Sequence, residues 1–166
     1  MKKIILFLSV VAVLAACSNS EVKYDGAPLN IAVIGETPEF KNNSISVESL
    51  SLDKLSKDIA RIEADFDAVL LAPDVFEGAS DDKFVNVYRS SDIPIVFFDS
   101  SKKHDPFITE GLTYETAHDS LTNGSHTTIY LHDDHVNKDD AWYFYLDDKK
   151  NIDQLYTDLF KKIEEL

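Results

Sequence analysis

The chain of 166 residues contains one cysteine, Cys17, so no disulfide can form within it. Basic residues are scarce as well. Sixteen Lys+Arg stand against 30 Asp+Glu, for a net charge of −14, and that balance repels phosphate backbones and excludes nucleic acid as a natural partner. Only five glycines are present, too few to build a phosphate-cradling loop with ease. No Gly-x-Ser-x-Gly elbow, His-Glu-x-x-His or dinucleotide fingerprint occurs anywhere. No His or Cys spacing matches a zinc motif. Nothing therefore points to catalysis, and no cofactor is implied beyond a divalent cation considered below. What is present is a hydrophobic fraction of 44% with 11% aromatics, ample for one packed core and against intrinsic disorder.

The N-terminus is the most informative stretch. Met1-Lys2-Lys3 is a short positive region, and Ile4 to Ala16 is apolar except for Ser9. Thirteen helical residues rise about 20 Å, short of the roughly 30 Å hydrocarbon core, so this is an export signal and not a membrane span. Its end, Leu14-Ala15-Ala16-Cys17, resembles the lipobox of bacterial lipoproteins. The resemblance implies a diacylglyceryl group on the Cys17 sulfur and cleavage between Ala16 and Cys17. Two acyl chains suffice for stable anchoring, so the membrane is the expected partner and its outer face the expected location. Cleavage removes Lys2 and Lys3, taking the charge from −14 to −16. Residues 17–27 read as a polar lipidated tether and 28–166 as a single domain.

Within that domain, short apolar runs alternate with helical stripes. Asn30 to Gly35, Ala68 to Ala72 and Ile93 to Phe98 are continuous apolar runs, the signature of parallel strands covered on both faces; Ile45 to Glu48 alternates like an edge strand. Leu52, Leu55, Ile59, Ile62 and Phe66 form one helical stripe behind Ser51 as N-cap. A weaker helix is expected over 80–90 with Ser80 as cap. The last helix carries Ile152, Leu155, Leu159, Ile163 and Leu166, with Asn151 and Gln154 as a cap pair. Thr127–Leu131 and Trp142–Leu146 predict an antiparallel hairpin around a polar loop at 133–140. The sum is an α/β three-layer sandwich, with a mostly parallel sheet, an antiparallel C-terminal hairpin and a C-terminal helix. Residues 99–126 have no clear assignment, and loops of that length are either functional or misread.

Two places hold candidate ligand groups. Doubly wound sheets bind ligands beyond the carboxyl ends of their strands, which gathers Glu36, Asp74, Asp99 and Ser100. Three like charges there suit a cation or a basic ligand. The other place is the hairpin tip, where His132 and Asp134 fall on one side of an extended strand and could contribute to a metal site. An EF-hand is excluded, because Lys138 stands where the loop glycine belongs.

The run Phe66 to Ala72, a helix, and then Ile93 to Phe98 is similar to one lobe of the substrate-binding lipoproteins of bacterial importers. With its Ile-Pro strand, aromatic hairpin and terminal helix, the mature region resembles small lipoproteins of Gram-positive bacteria. The Gram-positive likeness implies a home but no activity. Taken together, the residues of the chain read as a tethered, non-enzymatic module that binds a protein or a small molecule. A surface divalent-cation binder is the alternative.

Overall fold

The computed structural model describes residues 23–119, 126–146 and 152–166. Six strands form one sheet in the order β2-β1-β3-β4-β5-β6: β1 Leu29–Ile34, β2 Ile45–Leu50, β3 Ala68–Leu71, β4 Ile95–Phe98, β5 Thr127–Asp133 and β6 Lys138–Phe144. The first four pair in parallel, and β4–β5 and β5–β6 pair antiparallel. The α/β class and mixed sheet expected from the sequence are those of the protein.

Side-chain alternation distributes each strand between two cores. Ala32, Ile34, Val69, Leu71, Ile95 and Phe97 face one layer; Ile31, Val33, Leu70, Val96 and Ile129 face the other. The first layer contains α1 Leu52–Lys57, α2 Ile59–Asp65, α3 Phe76–Ala79, α4 Val85–Arg89 and α5 Asp105–Ile108. Among the described residues the second holds one helix, α6 Ile152–Glu164, joined by Tyr24 and by Phe40 of the β1–β2 connection. This division follows from crossover handedness. The connections from β2 to β3 and from β3 to β4 advance along the sheet and cover one face, whereas β1 to β2 steps back and must cover the other.

Several local expectations change. The stripe from Leu52 to Phe66 is two helices, because Asp58 leaves the helical region (φ −127°, ψ 30°); a short polar side chain favours such a break. Ser51 does cap, accepting from the Lys54 N–H at 3.2 Å. Ser80 does not start the next helix but ends α3, and Asp81 takes the cap role by accepting from the Lys83 N–H at 3.1 Å. Leu166 is 45% exposed, while Phe160 takes its place in the buried stripe. The hairpin is longer than expected, with Asp133 opposite Lys138 and Asn137 in the left-handed region at φ 48°. Asn151 and Leu121 lie outside the described residues.

The unassigned stretch is partly core. Phe107 is fully buried and stacks on Phe97 with ring centroids 4.1 Å apart and planes 9° from parallel. Toward the other end of the chain, Tyr24 is already packed into the core, ahead of the expected start at Pro28. Tyr24 is 3% exposed, and its hydroxyl lies 2.6 Å from the Ala27 carbonyl and 3.0 Å from Glu164.

Candidate functional site

The strand order reverses between β1 and β3, and the turns by which the chain leaves the two strands meet there. After Ile34, Gly35 adopts φ +99°. A Cβ at this position would lie 2.5 Å from Asp74 Oδ1, so the glycine is needed both for its backbone and for its lack of a side chain. The Glu36 N–H then donates to Asp74 Oδ1 at 2.9 Å. Asp74 itself is placed by a short 3-10 turn over Pro73–Val75, which proline initiates.

Strand β4 ends in the same region. Asp99 takes a left-handed backbone conformation at φ 54°, and its carboxylate lies 3.4 Å from His126 Nε2. His126 in turn has Nδ1 3.1 Å from the Thr127 hydroxyl. One basic group thus sits among the acidic ones.

Together these turns border an open crevice of about 500 Å³, lined by Glu36, Glu39, Asp74, Asp99 and Phe98 with Pro38 and Pro73 among its walls. Glu36, Asp74 and Asp99, far apart in sequence, therefore share one concavity. Phe98 stacks on Tyr156 of α6 at 6.0 Å, and Phe40 meets Tyr156 edge-on at 4.9 Å. Burial raises the Tyr156 phenol above its ordinary pKa, and the negative charges of Asp153, Asp99 and Glu39 raise it further. The crevice is thus an acidic rim above an aromatic floor.

Ser100 does not line it. Its side chain is fully buried, donating to the Lys103 carbonyl at 2.9 Å and accepting from the Lys102 N–H at 3.3 Å. It is a turn residue. Glu39 and His126 enter the site unforeseen. His126 immediately precedes β5, whose first residue Thr127 pairs with Phe98, so the antiparallel hairpin carries it to the end of β4.

The hairpin cluster is a separate network. His132 Nδ1 lies 2.7 Å from Asp139 Oδ1, and Nε2 lies 3.3 Å from Asp134. Asp139 also accepts from the Tyr130 hydroxyl at 2.6 Å and lies 4.0 Å from Arg89. Burial pushes the Asp139 carboxyl up, but hydrogen bonds from Tyr130 and His132 and the charge of Arg89 outweigh it and hold the group below its usual value. His132 and Asp134 do meet, with both imidazole nitrogens directed at carboxylates. Among the described residues, no three His, Cys, Asp or Glu side chains form a group that could hold a metal ion. None of the helices there is long and apolar enough to cross a membrane.

Against this geometry, comparison with protein families finds one match: residues 1–18 fit the prokaryotic membrane lipoprotein lipid attachment site. The chain carries a membrane lipoprotein's anchor signal. Cys17 falls inside that match and outside the described residues. Neither the curated proteins nor the solved structures yield a match, so the likenesses to Gram-positive lipoproteins and to an importer lobe gain no support. The signal for membrane attachment thus lies in the first 18 residues.

Proposed function

We propose that the mature lipoprotein is a non-enzymatic binding module at the outer face of the cytoplasmic membrane. Its crevice takes an organic cation, an ammonium or guanidinium group on a small molecule or a peptide. The observation that carries this reading is the convergence of Glu36, Asp74 and Asp99 on one crevice floored by Phe98. A carboxylate rim attracts cationic ligands, and an aromatic face accommodates their apolar and charged parts alike. An organic cation suits the site better than a bare divalent ion. Asp74 already accepts from the Glu36 N–H and Asp99 faces His126, which leaves no dense oxygen shell of the kind Ca²⁺ or Mg²⁺ requires.

A thermal melt tests the proposal, with spermidine and arginine amide as organic probes and Ca²⁺, Mg²⁺, Mn²⁺ and Zn²⁺ as metal probes, at constant ionic strength. At a hundredfold excess over Kd, a bound ligand stabilises by about 2.7 kcal/mol. An organic-cation shift lost in Asp74→Asn and kept in His132→Ala is the expected result. A metal shift lost only in His132→Ala favours the hairpin and the divalent-cation alternative. No shift with any probe overturns the cation reading. Anchoring has its own test: Cys17→Ala should abolish lipid labelling and leave an uncleaved precursor, since no other thiol exists in the chain.

A further inference from the structure

We infer that the domain rests with its α6 face toward the bilayer, leaving the layer of α1 to α5 turned outward, an inference that rests on the lipidation of Cys17. Tyr24 is pinned by four contacts: its ring meets Phe160 edge-on at 5.8 Å, its hydroxyl faces Ala27 and Glu164, and its carbonyl accepts from Asn42 Nδ2 at 2.7 Å. The Ala27 N–H adds a bond to Glu164 at 2.9 Å. Lys23, one residue upstream, borders a small cavity of about 60 Å³ beside Phe40, Lys41 and the first turns of α6 at Asp153 and Thr157. The lipid anchor therefore joins the domain on its α6 face.

Length then fixes orientation. From Cys17 to Lys23 the chain extends at most about 20 Å at 3.3–3.6 Å per residue. A domain of about 140 residues has a radius of gyration near 14 Å and is roughly 40 Å across. The opposite layer lies farther from the attachment point than the tether can span, so it cannot be turned to the headgroups. Exposed Lys41 beside Lys23 suits an anionic surface. Glu39 and Asp153 are close to the same rim, so covalent reach and not charge sets the orientation. Tyr156 borders the small cavity and stacks on Phe98 of the crevice, which makes the ligand crevice open beside the bilayer.

Fluorophore labelling of the lipidated protein in phosphatidylglycerol-containing vesicles tests this. Lipidation occupies Cys17, so an introduced cysteine is the only free thiol. Lys41→Cys marks the α6 face and Arg61→Cys the far layer; both positions are exposed. Asn43→Cys and Lys57→Cys repeat the pair should either variant fold poorly. With headgroup-spin-labelled lipid as quencher, the label at 41 should be quenched at least threefold more than the label at 61. Inserting about twelve Gly/Ser residues between Ser20 and Glu21 should erase that contrast. Equal or reversed quenching with the natural tether overturns the orientation. The mass of the Cys17 peptide from the same vesicles separates the two readings: unmodified Cys17 overturns the anchor as well, whereas lipidated Cys17 with equal quenching overturns the orientation alone.

Discussion

The Tyr24 hydroxyl lies 3.0 Å from Glu164 Oε2, closing a span of 140 residues between the segment ahead of β1 and the end of α6. Burial first, and then the hydrogen bond and charge of Glu164, push the Tyr24 pKa up to about 12. A raised phenol pKa contributes stability that is present below the ordinary value near 10 and lost as pH rises toward 12. Several other phenols ionise late as well, Tyr88, Tyr130 and Tyr156 among them, so absorbance titration should show one fewer late-ionising phenol in Tyr24→Phe than in the native protein. That variant keeps the ring packing and should cost about 1 kcal/mol in urea denaturation. An unchanged titration curve would mean that the contact does not persist in solution.

Two glycines with positive φ separate strain from contact. Gly35 has Asp74 Oδ1 within 2.5 Å of a built Cβ, whereas Gly111, at φ +77°, has nothing within 4 Å. Ala at either position carries the backbone penalty, about 1–3 kcal/mol. Gly35→Ala must also displace Asp74 and break its bond from the Glu36 N–H. Urea denaturation should show the larger loss for Gly35→Ala, and any organic-cation shift should vanish in that variant only.

Acid sensitivity should arise at His104. Its ring stacks on Tyr130 at 5.6 Å and tilts against Tyr143 at 5.8 Å. Burial lowers its pKa below the ordinary 6.5 and Lys103 adds to that, against the opposing charges of Asp105 and Asp139. Just below pH 6.5 the unfolded chain gains a proton that the folded chain refuses, so stability falls as pH drops through that window. Asp139, held below 3.8, acts in the same direction at lower pH. Urea midpoints measured between about pH 7.5 and 5.5 should decline for the wild type, and the decline should flatten in His104→Phe. Equal slopes would remove His104 as the cause.

Phe107→Ala tests whether the region after β4 belongs to the core. The ring stacks on Phe97 and meets Phe76 edge-on at 5.1 Å. Removing a fully buried phenylalanine costs about 3–5 kcal/mol. A loss below about 1 kcal/mol would return this segment to the status of a surface loop.

These residues also mark how far the fold is legible in the amino-acid order. Strands β1, β3 and β4 announce themselves because burial on both faces demands continuous apolar runs, and their carboxyl ends bring Glu36, Asp74 and Asp99 along. Helix ends are harder to place. Ser80 and Asp81 are both good caps, and only tertiary packing decides between them: Ser80 Oγ is engaged by the Tyr114 N–H at 2.8 Å. Pro73 and Pro106 each open a helical turn, a signal that proline's fixed φ makes readable. Glu39 and His126 could not be read in this way. Glu39 reaches the crevice through the path of the β1–β2 connection, and His126 reaches Asp99 through the register of β5 on β4; hydrophobic periodicity carries no information about either.

The α6-down orientation lays the six-stranded sheet roughly parallel to the membrane, so β2 and β6, its edge strands among the described residues, point sideways toward neighbouring copies. Molecules confined to a surface meet edge to edge far more often than in free solution, and unpaired strands are templates for further pairing. Both edges are dressed against this. Along β2, Ser46, Glu48 and Ser49 are exposed, and β6 opens with Lys138, Asp139 and Asp140. With −16 on every mature chain, lateral approach is repelled before backbone groups can meet. Dense display on the membrane should therefore yield a spaced lawn of separate domains instead of ribbons.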